Sequence, residues 1–214
     1  MKNTPIFFDL DGTLTDSGPG IMNCAAEALL HFGLSVPDRQ ALRSFVGPPL
    51  TESLPRFGVQ PHQIEEAVAV FRKRYSVLGK FENTPYPGIA SLLSQLTQLG
   101  YPLYVATSKP EPMALEIMEH FALAPYFEKI CGAALDGSRI TKEQVLSYLM
   151  EQIHMDTPPV MVGDTIYDVV GAAHHHIPTI GVDWGYGTRE SMLEAGAVCV
   201  VSTPEELLKK LTSL

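Results

Sequence analysis

Residues 7–15 read Phe-Phe-Asp-Leu-Asp-Gly-Thr-Leu-Thr, and this stretch decides how the rest of the chain is interpreted. The apolar run 6–8 predicts a strand that ends at Asp9. Residues i and i+2 of an extended segment point the same way, so Asp9 and Asp11 share one side. Two such carboxylates repel each other unless a cation joins them. Gly12 permits a turn, and an Asx-rich turn is the competing interpretation of the acid pair.

Polar clusters follow two other predicted strands. Thr107–Lys109 comes after the apolar run 103–106, and a second acid pair, Asp164 and Asp168, comes after the run 159–163. In open α/β sheets, ligands bind beyond the carboxyl ends of the strands, where such clusters converge. A purely structural origin would not place all of them at the same end, so we interpret them as one functional site.

The order of predicted elements indicates an α/β fold. From about residue 84 helices and strands alternate, which is typical of a mostly parallel sheet with helices on both faces. Residues 16–83 show no period-two alternation and look all-helical. We therefore predict a Rossmann-like, doubly wound core of residues 1–15 and 84–214, with a helical domain of residues 16–83 inserted behind the first strand. Outside the strands already named, the expected elements are a long helix at 61–78, helices at 89–99, 112–121, 142–154 and 167–175, strands at 129–132 and 179–182, and two short helices around 198–201.

The charge balance restricts the partners. The formal net charge is −9, which repels nucleic-acid backbones at long range and argues against a nucleic-acid polymer as partner. An anionic small substrate would need a metal ion or a few well-placed cations.

The cysteines and apolar runs indicate the compartment. Cys24, Cys131 and Cys199 are far apart and lack the spacing of a disulfide framework or a zinc site, which fits a reducing cytoplasm. The apolar runs are too short to cross a bilayer, and the N-terminus lacks the pattern of a signal peptide. We expect a cytoplasmic protein with no membrane partner, and the sequence leaves its oligomeric state open.

The motifs resemble those of a known superfamily. DxDGT at residues 9–13, the hydroxyl of Thr107, a lysine, and GDxxxD at residues 163–168 together resemble the haloacid-dehalogenase-like superfamily. The similarity is greatest to its phosphoglycolate-phosphatase-like branch, which includes similar 5′-nucleotidases and β-phosphoglucomutases. It spans nearly the whole chain, and residues 16–83 look like the family's small cap domain.

The resemblance implies an aspartyl-phosphate mechanism. Asp9 would attack phosphorus and form an acyl phosphate. Asp11 would protonate the leaving alkoxide and then activate the hydrolytic water. Mg²⁺ would bind Asp9, Asp164 and the backbone carbonyl of Asp11, with Asp168 in a water-mediated or outer role. An acid at Asp11 also argues against carbon–halogen cleavage, because halide needs no proton to leave.

The phosphate-binding residues are less uniquely defined. Thr107 can donate a hydroxyl hydrogen bond, and we include Ser108 with it. Lys142 opens a helix with the spacing of a capping box, where a cation is slightly unfavourable without an anionic partner. That argument and the resemblance favour Lys142 as the phosphate-binding and catalytic lysine, with Lys109 as the rival.

Within the helical insertion, Arg43 and the Gly47-Pro48-Pro49 break are candidates for contacts with the rest of the substrate. This expectation rests on the resemblance, in which a cap loop faces the active site.

The expected function is hydrolysis of a small phosphorylated metabolite, with phosphoglycolate or a nucleoside monophosphate as candidates. A phosphomutase would share all the core residues and differ in the phosphoryl acceptor. A phospho-receiver module also uses an aspartate, Mg²⁺, a threonine and a lysine, but it needs neither a second acid at Asp11 nor an inserted domain.

Overall fold

The computed structural model describes residues 4–213 and divides into two compact units. One unit is Met1–Asp16 together with Pro85–Leu214, and the other is Ser17–Thr84.

The larger unit is built on a parallel sheet, which confirms the predicted fold class. Across the described residues the sheet has six strands in the order β3-β2-β1-β4-β5-β6. This is the doubly wound order. The chain adds β2 and β3 on one side of β1, and then adds β4, β5 and β6 on the other side. The strands are β1 (Ile6–Phe8), β2 (Leu103–Pro110), β3 (Lys129–Ala133), β4 (Val160–Gly163), β5 (Thr179–Val182) and β6 (Cys199–Val201).

Helices cover both faces of this sheet. One apolar core joins α5, α6 and α10 to alternate residues of the strands, such as Phe8 and Val105. The opposite core joins α7 and α8 to the intervening residues, such as Phe7 and Tyr104. Because both faces are covered, β1 is buried throughout and reads as a continuous apolar run. The helices of this unit are α5 (Ile89–Gln98), α6 (Glu111–His120), α7 (Lys142–Glu151), α8 (Ile166–Ala173), α9 (Arg189–Glu194) and α10 (Pro204–Leu211).

The smaller unit, as described, contains helices and no strand. A methyl group on Gly20 would overlap the carbonyl of Gly79, so the two glycines allow their backbones to approach closely. The Arg74 guanidinium binds both Glu82 oxygens, at 2.6 and 2.8 Å, and Glu27 at 2.9 Å. The helices are α1 (Gly18–His31), α2 (Arg39–Leu42), α3 (Leu50–Ser53) and α4 (Ile64–Arg74), with 3₁₀ turns at Arg43–Phe45, Leu54–Phe57 and Pro61–Gln63 and a π-helical turn at Tyr75–Gly79.

Two local expectations were wrong. Two short helices, α9 and α10, flank 198–201, but between them lies the edge strand β6, which was not predicted and which pairs in parallel with β5. The long helix expected at 61–78 is divided, because it begins as a 3₁₀ turn and widens to a π turn at its end.

Candidate active site

Three strand ends meet at one edge of the sheet. β1 lies between β2 and β4, with Phe8 aligned to Val105 and to Val162. Because the strands are parallel, Asp9 and Asp164 leave the sheet at the same edge, and Thr107 lies near that end of β2. The side chains therefore converge where ligands bind in doubly wound folds.

A buried carboxylate cluster lies at this edge. One oxygen from each of Asp9, Asp164 and Asp168 lies within 4.8 Å of the other two. Burial raises the pKa of Asp9 to about 6, with Lys142 opposing the shift and Asp168 adding to it. Burial also raises the pKa of Asp164 well above its usual value, and the Asp168 and Asp9 charges add to the rise. Negative charge accumulates here without water to solvate it, so the cluster attracts a cation.

Lys142 supplies one positive charge to the cluster. Its Nζ donates to Asp9 Oδ1 at 2.6 Å and to the Ala106 carbonyl at 2.7 Å, and it lies 2.8 Å from Asp168 Oδ1. Burial alone would lower the lysine pKa, but the Asp168 and Asp9 charges outweigh burial and the pKa is raised. The predicted capping box is confirmed: Thr141 accepts from the amide of Gln144 at the start of α7. The anionic partners offset the unfavourable position of the lysine in the first turn.

Lys109 contacts a different acid. Its Nζ lies 2.6 Å from Asp11 Oδ2, and its side chain is only 5% exposed. Thr107 is buried nearby, and its Oγ1 accepts from the Lys109 amide at 3.2 Å. The two lysines that the sequence left as rivals are thus both at the site, one beside each of the first two acids.

Asp164 is held by two donors. Thr13 Oγ1 donates to Asp164 Oδ1 at 3.1 Å, and the Tyr186 amide donates to Asp164 Oδ2 at 2.8 Å. A methyl group on Gly12 or Gly185 would overlap the Asp164 carboxylate. Gly12 also has φ +89°, a conformation that only glycine adopts readily. Both glycines are therefore required by the close approach of the backbone to this acid.

The loop Trp184–Gly187 contributes to the site in a way that the sequence analysis missed. The Trp184 indole donates to the Thr13 carbonyl at 3.0 Å, and the Tyr186 hydroxyl donates to Asp16 Oδ1 at 2.6 Å. A methyl group on Gly187 would overlap the Asp164 backbone. The available signal was the pair of glycines flanking Tyr186, which allows the backbone to pass close to an acid.

Asp168 has both oxygens occupied. Its Oδ2 accepts from the amide and hydroxyl of Thr165, at 3.0 and 2.9 Å, in a capping box at the start of α8. Its Oδ1 faces Lys142. The geometry makes Asp168 an anchor for the lysine as well as a member of the carboxylate cluster.

Three predicted substrate-binding residues lie outside these contacts. Ser108 points to the opposite side of β2 from Thr107 and is exposed. Arg43 and Gly47 belong to the helical unit and are exposed there, and their roles stay predictions.

The carboxylate cluster fits Mg²⁺. Magnesium prefers hard oxygen ligands and uses one or two carboxylates with several waters. Asp9 and Asp164 provide buried carboxylate oxygens, and the three acids of the cluster share the single ammonium group of Lys142, which leaves an excess of negative charge. Within the described part of the chain, Asp9, Asp164 and Asp168 form the group of three or more Asp, Glu, His or Cys side chains that lie close enough together to bind one metal ion.

The comparisons with known proteins agree with this geometry. The model of a family described as haloacid dehalogenase-like hydrolase matches residues 6–182. The chain is 43% identical over 198 residues to the tyrosine-protein kinase PtkA of Mycobacterium tuberculosis, covering 92% of this chain and 67% of PtkA. It is 39% identical over 194 residues to a 5′-nucleotidase of Pseudomonas aeruginosa, covering 90% of this chain and 88% of that protein. A predicted phosphatase from Clostridium acetobutylicum superposes with a TM-score of 0.90 at 42% identity, covering 100% of both chains.

The chain therefore belongs to the haloacid dehalogenase-like hydrolase family, as the motifs indicated. Within the described residues, no helix has the length and apolar character that a bilayer crossing requires.

Proposed function

We propose that this protein is a magnesium-dependent phosphatase that hydrolyses a small phosphate monoester through an aspartyl-phosphate on Asp9. Its family and its relatives make it a phosphoric monoester hydrolase. The proposal adds the metal, the covalent intermediate and the substrate class. The observation that carries it is the contact of Asp9 with Lys142 inside the carboxylate cluster.

Asp9 is the proposed nucleophile. It follows the central strand β1, and one oxygen is fixed by the Lys142 ammonium at 2.6 Å. Attack by this carboxylate on phosphorus would form an acyl phosphate and release the alcohol. Mg²⁺ bound by Asp9 and Asp164, together with the Asp11 carbonyl, would reduce the repulsion between the carboxylate and the phosphate.

Lys142 and Thr107 are the proposed phosphate-binding groups. Lys142 is fixed by Asp168 and the Ala106 carbonyl, so its charge is in place before the substrate arrives. A preorganised cation stabilises the charge on the transferring phosphoryl group without reorganisation during the reaction. Thr107 is buried at the same edge and can donate its hydroxyl proton to a phosphate oxygen.

Asp11 is the proposed acid and base. It lies two residues beyond Asp9, and one of its oxygens, Oδ1, has no hydrogen-bond partner among the described residues. A carboxyl group in this position would protonate the leaving alkoxide and later accept a proton from the hydrolytic water.

The substrate class we propose is a nucleoside monophosphate or a small carboxylated phosphate such as phosphoglycolate. Relatives named 5′-nucleotidase and phosphoglycolate phosphatase support these two candidates. We propose the cytoplasm as the site of action, because Cys24, Cys131 and Cys199 are all free thiols.

The similarity to PtkA favours a second candidate. A relative named as a tyrosine kinase indicates that this scaffold also serves phosphoryl transfer to a hydroxyl group other than water. The second candidate is therefore a phosphotransferase, in which Asp9 would take the phosphoryl group from a phosphorylated donor, release the rest of that donor, and pass the group to the hydroxyl of an acceptor instead of to water.

A substrate screen with Mg²⁺ tests the proposal. Phosphate release is measured from nucleoside monophosphates, phosphoglycolate, sugar phosphates and a tyrosine phosphopeptide, with Asp9→Asn as the inactive control. We expect release that requires both Mg²⁺ and Asp9. Release at the wild-type rate by Asp9→Asn, or in excess EDTA, would contradict the proposed mechanism.

A further inference from the structure

The pairing of Lys109 with Asp11 gives this second lysine a role that phosphate binding does not explain. We propose that Lys109 is a positioning residue that fixes the orientation of the Asp11 carboxyl group for its part in the reaction. The inference rests on the proposed function, because it assumes that Asp11 is the acid and base.

The register of β2 brings Lys109 to Asp11. Thr107 and Lys109 are two residues apart on this strand, so both are buried on one side while Ser108 is exposed on the other. β2 runs alongside β1, with Val105 aligned to Phe8, and it continues past the end of β1. Lys109 therefore lies beside the segment that follows β1, where Asp11 is found.

The burial of the two side chains is unequal. The Lys109 side chain is 5% exposed, whereas the Asp11 side chain is 23% exposed. A buried ammonium requires a fixed partner, since an unpaired buried charge is costly. The lysine is thus part of the interior, and the acid that it holds is the more exposed member of the pair.

The hydrogen bonds distinguish the two oxygens of Asp11. A lysine ammonium has three donors and no acceptor, so it can hold a carboxylate oxygen firmly. Lys109 occupies Asp11 Oδ2 at 2.6 Å. Asp11 Oδ1 is buried and has no partner in the described part of the chain. Lys109 is therefore the hydrogen-bond partner that fixes the rotation of this carboxyl group.

The two lysines contact different acids and therefore have different expected effects on the reaction. Lys142 contacts Asp9 and Asp168, and Lys109 contacts Asp11. Loss of Lys142 would affect every substrate, whereas loss of Lys109 would matter most for a leaving group that needs a proton.

The test uses the full chain with Mg²⁺ and two aryl substrates. Phenolate is a stronger base than para-nitrophenolate, so phenyl phosphate depends more on the general acid. Release of each phenol is measured in a single turnover for Lys109→Met, Lys109→Gln and Lys109→Arg. Lys129→Met is the matched control, because Lys129 lies at the opposite end of the neighbouring strand and contacts Gln152.

The expected result is selective. A well-placed general acid contributes about 10²–10⁴ in rate, so Lys109→Met and Lys109→Gln should slow phenol release at least about tenfold more than para-nitrophenol release. The concentration of substrate at half-maximal rate should stay within about threefold of wild type, because Lys109 is not a phosphate ligand in this account. Lys109→Arg should recover part of the loss, because a guanidinium is also a donor without an acceptor. Lys129→Met should match wild type.

Several outcomes would overturn the inference. Equal slowing on both substrates with a tenfold weaker apparent affinity would make Lys109 a phosphate ligand. An unchanged ratio of the two rates in the folded variants would leave Asp11 independent of the lysine. If Lys109→Met does not fold, Lys109→Gln decides the question by the same ratio. Trapping of labelled phosphate on Asp9 in the same preparations distinguishes failure of the proposed function from failure of this inference. If no adduct forms, the proposed function is wrong. If the adduct forms but the ratio of the two phenol-release rates is unchanged, only the role of Lys109 is wrong.

Discussion

Replacement of Lys142 by methionine removes the ammonium group that lies between two buried carboxylates. Methionine preserves the length and much of the volume of the side chain but supplies no donor. Three contacts are lost together: Asp9 at 2.6 Å, Asp168 at 2.8 Å and the Ala106 carbonyl at 2.7 Å. The two acids are left in the interior without the cation that compensates them.

The expected loss of stability is large for one substitution. Removal of one partner of a buried ion pair costs about 3–5 kcal/mol, and we expect the free energy of unfolding in EDTA to fall by that amount. Mg²⁺ should restore part of it, since a ligand at about 100 times its dissociation constant adds about 2.7 kcal/mol. Turnover should fall by about 10²–10³, the range found when a preorganised electrostatic partner of the transition state is lost.

Urea denaturation of wild type and Lys142→Met, with EDTA and with Mg²⁺, measures these changes alongside phosphate release. Lys209→Met is the control, because Lys209 is exposed on α10 and its replacement should change stability by less than about 0.5 kcal/mol. If Lys142→Met unfolds at the same urea concentration as the control in EDTA, the carboxylate cluster does not depend on this lysine and the electrostatic account is wrong.

The remaining predictions concern the acids and one glycine. The pKa of Asp9 is about 6 in the fold against an ordinary 3.8, so the folded protein holds this proton more tightly than the unfolded chain. Protonated Asp9 therefore stabilises the fold fully below about pH 4, and this stabilisation is lost as the pH rises through about 6. At about 1.4 kcal/mol per pKa unit, the stabilisation is on the order of 3 kcal/mol. Asp9→Asn should therefore flatten the pH dependence of the unfolding free energy in EDTA between pH 4 and 7, and a profile parallel to wild type would refute this. Gly185→Ala should weaken Mg²⁺ binding at least about tenfold by titration calorimetry, because the methyl group would displace Asp164. Gly137→Ala meets no neighbouring atom but has φ +81°, so it should lower stability and still bind Mg²⁺ as wild type. Asp11→Asn should keep Mg²⁺ affinity and slow phenyl phosphate about 10²–10⁴-fold but para-nitrophenyl phosphate less, and equal slowing with a large loss of Mg²⁺ affinity would make Asp11 a metal ligand through its side chain.

Sequence patterns were sufficient for the sheet and for the convergence of the acids. β1, β4 and residues 103–106 of β2 are buried, so each reads as an apolar run, and the residues that follow each run had to meet at one edge. The edge strand β6 was missed because it belongs to the short apolar run 195–201 between two helical segments. Such a run does not distinguish a strand from a buried piece of helix.

The partners of the two lysines were beyond the sequence for a different reason. Lys142 is 133 residues from Asp9 and Lys109 is 98 residues from Asp11 along the chain. Which acid each lysine contacts depends on how α7 and β2 pack in the fold, and residue spacing alone does not reveal it. The Tyr186 amide was missed because a backbone donor leaves no trace in the identity of its side chain.

The central claim is that Asp9 carries the phosphoryl group during turnover. Rapid acid quench of the enzyme with a substrate identified by the screen, followed by borohydride reduction, converts an aspartyl phosphate to homoserine, which peptide mass spectrometry locates. The account predicts homoserine at position 9, formed only with substrate and Mg²⁺ present. Turnover with no modification at position 9, or with the phosphoryl group on another residue, would contradict it.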